Sequence, residues 1–247
     1  MDRGNKVNYI IGKSGYLGRS LLDYFGKEAE GIGRSDLWPK FTDRDCIVNC
    51  TGYGWNPGQE DVGEAIDTNI NLTVSLERAR NGANYVFFAS GMQRERPEHL
   101  YSLTKNVACR YLEGKAHILI LYTIYGGKWD PPWRFMGTFL RAAKFGKPYV
   151  ITTPHTTRDF VYIDRLCNTV ADLSFDRRYR TIDFGCGKAR SLMDVYNHVM
   201  LNFPDACLDY VKFQYPKTKP KTYCAERPHL PDYFNEDMEK TWGLICE

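Results

Sequence analysis

The chain predicts a doubly wound α/β fold built on a parallel sheet, and three observations carry that prediction. Short apolar, β-branched runs alternate with amphipathic stretches; Gly12, Gly15 and Gly18 follow the first run; and Tyr101 and Lys105 stand four residues apart in a later amphipathic stretch. The runs cover residues 7–11, 46–50, 85–89 and 118–122, and the stretches cover 17–25, 62–79, 99–112 and 134–145. Strand, helix, strand in this order is the pattern of βαβ units. Only twelve residues separate Gly33 from Cys46, about the minimum for a crossover between parallel strands, and Trp38-Pro39 argues against a full helix there. The second crossover is therefore trimmed. From residue 149 the spacing loosens, with candidate strands at 159–163, 181–184 and 208–213 and candidate helices at 165–173 and 192–203. Residues 1–148 accordingly read as the sheet domain. Residues 149–247 read mainly as a small C-terminal lobe, with segments returning to the sheet.

Composition narrows the function. With 247 residues, 43% of them hydrophobic, the chain can bury a sizeable core. A formal charge of +3 supplies no field for nucleic acid or an anionic membrane surface. The first apolar run is too short for a signal core and no later one approaches about 20 residues, so a soluble, cytoplasmic protein is expected, with neither nucleic acid nor membrane as partner. Eight cysteines are scattered without a Cys-x-x-Cys or a His pair at ligand spacing, which predicts reduced thiols and no metal. Asn49-Cys50-Thr51 and Asn71-Leu72-Thr73 match the glycosylation pattern and are expected to stay unmodified. The basic, proline-bearing stretch at 216–221 reads as a solvated loop.

The chemistry lies in four places. A strand, then Gly12-Lys13-Ser14-Gly15-Tyr16-Leu17-Gly18, then a helix puts unhindered backbone and a helix N-terminus where a pyrophosphate can accept N–H bonds. That makes residues 1–148 a Rossmann-type dinucleotide-binding domain. At the end of the second strand, Gly33-Arg34-Ser35 offers a bidentate guanidinium and a hydroxyl to a 2′-phosphate, which favours NADP over NAD; Asp36 is close enough to serve a free ribose diol instead. The strand at 85–89 delivers the Ser90 hydroxyl to the crevice where open α/β sheets bind ligands. Within a helix at 99–113, Tyr101 and Lys105 share one face, so an ammonium beside the phenol would lower its pKa toward the working range of a general acid or base. Tyr-x-x-x-Lys alone is a frequent accident on helix surfaces. Here it accompanies the glycine turn and Ser90.

With these residues the chain resembles the extended short-chain dehydrogenases/reductases, in the group of nucleotide-sugar epimerases, dehydratases and reductases. The resemblance runs nearly end to end. Ile47-Val48-Asn49-Cys50-Thr51-Gly52 resembles the strand lining the cofactor's adenosine side, and Asp67-Thr68-Asn69 the family's helix asparagine. Arg158-Asp159-Phe160-Val161-Tyr162-Ile163-Asp164 is the most family-specific segment outside the active site, Asp183-Phe184-Gly185-Cys186-Gly187 with Ser191-Leu192 resembles a later strand, turn and helix start, and Arg227-Pro228 the late phosphate-binding arginine. The resemblance implies Tyr101 as proton donor or acceptor at the substrate oxygen, Lys105 tuning it and holding the nicotinamide ribose, and Ser90 orienting the carbonyl. It implies cofactor contacts from Gly12, Ser14, Gly15, Tyr16, Leu17, Gly18, Arg34, Ser35, Thr51, Gly52 and Asn69 as well as Tyr101 and Lys105. It implies substrate contacts from Ser90, Thr123, Arg158 and Arg227. Family members often dimerise through the two helices beside the central sheet, so a homodimer is also implied.

The chain departs from the family's pattern in ways that narrow the reaction. Where the dehydratases place Asp-Glu and the decarboxylases a glutamate after the active-site Ser/Thr, this chain has Gly91-Met92-Gln93. Methionine cannot transfer a proton, so keto-sugar reduction or 4-epimerisation fits better than elimination. Ten residues separate Ser90 from Tyr101, a short loop for the group, and Thr123-Ile124-Tyr125-Gly126-Gly127 replaces Asn before Val-Tyr-Gly-Pro. The expectation is an NADP- or NAD-dependent enzyme acting on a nucleotide-activated sugar. The alternatives are a reductase of a smaller carbonyl substrate and a catalytically silent dinucleotide-binding sensor, against which Ser90, Tyr101 and Lys105 argue.

Overall fold

In the computed structural model, which describes residues 6–55, 58–216 and 220–245, each apolar run becomes a strand and each amphipathic stretch a helix. The chain runs β1 (Asn8–Ile11), α1 (Tyr16–Phe25), β2 (Ala29–Ile32), β3 (Cys46–Asn49), α2 (Val62–Ile66), a π-helical turn (Asp67–Asn71), α3 (Leu72–Ala79), β4 (Asn84–Ser90), the single turn α4 (Met92–Glu95), α5 (Leu100–Leu112) and β5 (His117–Leu121). It continues through β6 (Thr123–Tyr125), α6 (Phe135–Phe145), β7 (Tyr149–Ile151), β8 (Thr157–Arg158), β9 (Phe160–Tyr162), α7 (Ile163–Leu173) and β10 (Thr181–Phe184), and closes with β11 (Arg190–Ser191), α8 (Leu192–Asn202), β12 (Val211–Phe213), β13 (Thr222–Tyr223) and α9 (Phe234–Leu244). No helix among the described residues is long and apolar enough to cross a membrane.

The main sheet has the order β10-β5-β4-β3-β1-β2, and the pairs β2-β1, β1-β3, β3-β4 and β4-β5 are parallel. The chain steps from β1 outward to β2, then crosses back to β3 on the other side of β1. That reversal makes a topological switch point between β1 and β3, and in open α/β sheets ligands bind in the crevice outside the carboxyl ends there. The segment between β2 and β3 carries neither helix nor strand, as its length and Pro39 require. Phe41 does the covering instead: 1% exposed, it packs edge-on against Tyr9 of β1 with ring centroids 5.1 Å apart. Burying a side chain of that size is worth roughly 1.5–3 kcal/mol. The same cluster takes Ile11, Ile32, Ile47, Leu76, Tyr85, Phe87 and Leu112, so β1 to β4 share one core with α3 and α5.

The chain divides into two compact units, Met1–Leu121 with Arg165–Asp183, and Tyr122–Asp164 with Phe184–Glu247. The division falls at residue 121 rather than 148 because β6 leaves the main sheet and pairs in parallel with β9. The returning segment is anchored in the first unit by Asn84, fully buried on β4, whose amide donates to the carbonyls of Leu173 at 2.6 Å and Asp176 at 2.8 Å. Within the second unit β7 pairs with β12, and β8 lies between β11 and β13. Its organising group is Asp159, fully buried, whose carboxylate accepts from the backbone N–H groups of Cys186 (3.1 Å), Gly187 (2.9 Å) and Ala225 (3.2 Å). One side chain thereby fixes two loops.

Candidate active site

At the carboxyl end of β1 the backbone turns through Gly12, whose φ of +87° lies in the left-handed region that glycine adopts without strain. Gly12 N–H donates to the Ile32 carbonyl at 2.9 Å and Gly15 N–H to the Gly12 carbonyl at 3.1 Å. A Cβ on Gly18 would sit 2.3 Å from the Gly12 oxygen, so α1 packs directly onto the turn. Gly15 caps the ten-residue helix α1 without any side-chain hydrogen bond. Ser14 is exposed beside it, and Tyr16 and Leu17 are half-buried at the helix start. This is a cradle of the shape and polarity that a pyrophosphate fits.

The end of β2 departs from expectation. Arg34, read as the 2′-phosphate contact, pairs with Glu64 at 3.2 Å with its side chain 76% exposed, and Ser35 is exposed beside it. The strand's end belongs to Asp36 and Lys13. Asp36 accepts from Gly33 N–H at 2.8 Å and from the Lys13 ammonium at 2.6 Å, and the Lys13 bond holds its carboxyl below the ordinary range. Lys13 reaches it by lying across Gly31, where a Cβ would meet the Lys13 Cβ at 2.8 Å. The guanidinium read as favouring NADP thus lies in an exposed pair with Glu64, and the carboxylate of Asp36 stands close to the strand end.

At the end of β3, Asn49 is fully buried and its side-chain Oδ1 accepts from Thr51 N–H at 3.0 Å and the Thr51 hydroxyl at 2.6 Å. That bond turns the chain so that Gly52 faces α5: a Cβ on Gly52 would lie 3.4 Å from Tyr101 Cε2 and 3.7 Å from Lys105 Cε. Asn69 sits in the π-helical turn, also fully buried. Its side chain spans Tyr53, accepting from the backbone N–H at 3.0 Å and donating to the carbonyl at 2.8 Å, and donates to the Thr104 hydroxyl at 2.8 Å. Asn69, expected as a cofactor contact, thus ties the loop that follows Gly52 to α5. Single π turns inside helices occur often at functional sites.

Ser90, Tyr101 and Lys105 come together beside this loop. The Ser90 hydroxyl accepts from Met92 N–H at 3.3 Å, and its nearness to the Tyr101 phenol works to lower that group's pKa. Gln93, on α4, accepts from Ser90 N–H at 3.2 Å, while the buried Ser102 hydroxyl donates to the Met92 carbonyl at 3.1 Å and ties α4 to α5. Lys105 is 1% exposed. Its ammonium donates to the carbonyls of Thr51 at 2.8 Å and Phe88 at 2.9 Å and lies 5.9 Å from the Tyr101 ring centroid. A cavity of about 230 Å³ opens next to Ser90, lined by Gln93, Cys109, Ile118, Ile120 and Thr181.

The electrostatics run against the sequence expectation that Lys105 lowers the Tyr101 pKa. Burial pushes Tyr101 up to about 12, opposed by Ser90; it pushes Lys105 down to about 8 from 10.5. With two carbonyls as its partners, the ammonium serves the backbone more directly than the phenol. Between pH 8 and 10.5 the folded protein then binds fewer protons at Lys105 than the unfolded chain, so this group's contribution to stability rises with pH across that window. Below it the buried charge costs about 3 kcal/mol. Unfolding by denaturant at matched pH is expected to show wild type gaining up to about 3 kcal/mol relative to Lys105→Met between pH 8 and 10.5. A constant difference would refute the assignment of that proton.

The remaining expected contacts belong to the second unit. Thr123 N–H donates to the Asp159 carbonyl at 3.0 Å. The Arg158 guanidinium lies 5.7 Å from the Tyr223 ring centroid, its buried Nε has no hydrogen-bond partner among the described residues, and burial lowers its pKa. Arg227 is exposed ahead of Pro228. No group of three described His, Cys, Asp or Glu residues could hold a metal ion, and the seven described cysteines are free thiols.

No family model matches this chain, and no curated protein matches it in sequence. Solved structures do. MoeE5 in complex with UDP-glucose and NAD superposes with a TM-score of 0.77 at 16% identity, over 96% of this chain and 97% of that one. A UDP-N-acetylglucosamine 4-epimerase from Methanobrevibacter ruminantium M1 gives 0.76 at 14% identity over 97% of both chains. The fold is that of the extended short-chain dehydrogenases/reductases. A dTDP-4-dehydrorhamnose reductase from Clostridium acetobutylicum gives 0.72 at 15% identity, over 97% of this chain and 99% of that one. Epimerases and reductases of nucleotide sugars thus share one architecture with this chain, and at these identities the likeness is one of fold.

Sequence reasoning missed Lys13 as the partner of Asp36, Gln93 and Ser102 as supports of Ser90, and Trp55 and His99 as neighbours of Tyr101. Each pair except Ser90 with Gln93 and His99 with Tyr101 lies more than ten residues apart in the chain, so periodicity carried no trace of it. Gly91-Met92-Gln93 was singled out only for the acid it lacks. It holds Ser90 in place: Met92 N–H donates to the Ser90 hydroxyl and the Gln93 side-chain carbonyl accepts from Ser90 N–H.

Proposed function

We propose that this chain catalyses hydride transfer at a sugar carbon of a nucleotide-activated sugar, as a keto-sugar reduction or a 4-epimerisation, with Tyr101 as the acid/base. The observation that carries the reading is the meeting of Tyr101 and buried Lys105 against Gly52, with Ser90 at the end of β4, at the carboxyl end of the sheet that also holds the glycine cradle. Gly12, Gly15 and Gly18 would hold the pyrophosphate of a nicotinamide dinucleotide, Thr51 and Gly52 would line its path, and Lys105 would hold the nicotinamide ribose. When bound, that cofactor supplies or removes the hydride. Tyr101, protonated below about 12, gives its proton to the substrate oxygen, and Ser90, oriented by Met92 N–H, donates to the same oxygen as negative charge develops. A preorganised donor of this kind is typically worth about 3–4 kcal/mol. Met92 and Gln93 follow Ser90 without an acid, which disfavours elimination of water.

Titration of the purified protein with NADH and NADPH, followed by assay on 4-keto and 4-hydroxy nucleotide sugars, tests the reading. A reductase consumes cofactor one for one with product, whereas an epimerase recycles it. Binding of cofactor with no turnover on either class would sink the proposal and leave a dinucleotide-binding protein. Discrimination at the adenosine ribose is assigned to Asp36 with Lys13: the carboxylate accepts from a free diol and repels a 2′-phosphate, which favours NAD. Asp36→Ala frees the Lys13 ammonium and is expected to raise NADPH affinity relative to NADH about tenfold or more, whereas Arg34→Ala should move both cofactors by less than about twofold. Fluorescence titration of the two cofactors against both variants reads this directly.

A further inference from the structure

We propose that Trp55, flanked by His99, is the wall on which the pyranose ring of the nucleotide-activated sugar packs, a role that rests on the function proposed above. Trp55 is 52% exposed, yet it is placed with care. Its ring centroid lies 6.2 Å from that of Tyr101 at an interplanar angle of 49°, and 6.3 Å from that of His99 at 61°. His99 in turn caps α5, its Nδ1 accepting from Tyr101 N–H at 3.3 Å. Three rings therefore converge at the start of the helix that carries the catalytic phenol.

The loop that presents the indole is held from below. Asn69 fastens both backbone polar groups of Tyr53 and anchors to Thr104 on α5, next to Lys105. Gln59 accepts from Gly54 N–H at 3.2 Å. Gly54 itself has φ +100°, and a Cβ there would lie 3.6 Å from Tyr101 Cβ, so the backbone turns against the first turn of α5 immediately before Trp55. Four separate contacts thus fix the step from the cofactor-side loop to this one half-exposed indole.

The occupant follows from the chemistry. The phenol of Tyr101 must touch the reacting oxygen, so the ring bearing that oxygen comes within reach of an indole centred 6.2 Å from the Tyr101 ring. A pyranose carries an apolar face of C–H groups, which meets an aromatic face through weak C–H contacts, while the indole N–H can serve a hydroxyl at the rim. Trp supplies that area with little conformational freedom to lose. On this reading Asn69 is a positioning residue for Trp55.

Saturation-transfer NMR on the full chain, with UDP-glucose and UDP-N-acetylglucosamine as probes and UDP as control, separates sugar from uridine contacts. Trp55→Ala is expected to reduce saturation of the sugar protons relative to the uridine protons and to weaken both UDP-sugars about tenfold, with UDP and NADH affinities within about twofold of wild type. Trp55→Phe should restore most of the sugar signal. An unchanged sugar-to-uridine ratio in Trp55→Ala, or a loss confined to NADH, overturns the role of Trp55 and leaves the proposed reaction standing. Failure of the wild-type chain to bind either UDP-sugar would instead remove the nucleotide-sugar reading, and this inference with it.

Discussion

Tyr101→Phe is expected to lower kcat about a thousandfold, within the range of roughly 10²–10⁴ that a positioned acid or base contributes, while leaving the affinity for NADH nearly unchanged. The substitution removes one oxygen and leaves the ring, which keeps its packing against Gly52, Gly54 and Trp55. The helix start is untouched, because His99 caps it through backbone N–H. Lys105 also keeps its place, since its bonds go to the Thr51 and Phe88 carbonyls and not to the phenol. The loss should therefore fall on the chemical step and not on binding or folding, and kcat against cofactor Kd separates the two. Because burial keeps Tyr101 protonated up to about 12, wild-type reduction should show no loss of this acid between pH 6 and 9. A fall near pH 8 belongs instead to Lys105, whose charge leaves in that region. Activity retained in Tyr101→Phe would mean that another group moves the proton.

Parts of the site were legible because local spacing encodes them. Tyr101 and Lys105 had to share a face once residues 99–113 were helical, and the glycines at 12, 15 and 18 could only mark a turn between the first strand and helix. The helix-free crossover followed from twelve residues and one proline. What escaped depends on depth and on meetings across the chain. Spacing placed a cation near a phenol but carried no measure of burial, and burial decides the direction in which both groups shift. Arg34 and Asp36 stand two residues apart, and nothing in the sequence told that Lys13, running across a glycine that leaves it room, would pair with Asp36. The π turn at Asp67–Asn71 was read as ordinary helix because it lies inside one continuous amphipathic stretch. Yet that turn carries Asn69, the clamp of the Trp55 loop.

Gly18→Ala is expected to abolish measurable dinucleotide binding, with a loss of more than about a hundredfold for NADH and NADPH alike. The added Cβ would stand 2.3 Å from the Gly12 carbonyl oxygen, 3.0 Å from its carbon and 3.1 Å from Lys13 Cα. All three are backbone atoms, so no side-chain rotation relieves the clash, and either α1 or the turn must move. The turn cannot shift alone, because Gly12 and Lys13 N–H both donate to the Ile32 carbonyl. Displacing α1 withdraws its N-terminal N–H groups from the cradle and disturbs Leu21, which is fully buried beneath it. Overpacking of this kind costs about 1–3 kcal/mol of stability, small enough for the variant to remain folded and large enough to appear in a denaturation midpoint. Binding lost with the fold retained would locate the pyrophosphate at Gly12–Gly18. Unaltered affinity for both cofactors would place it elsewhere, and with it the reaction.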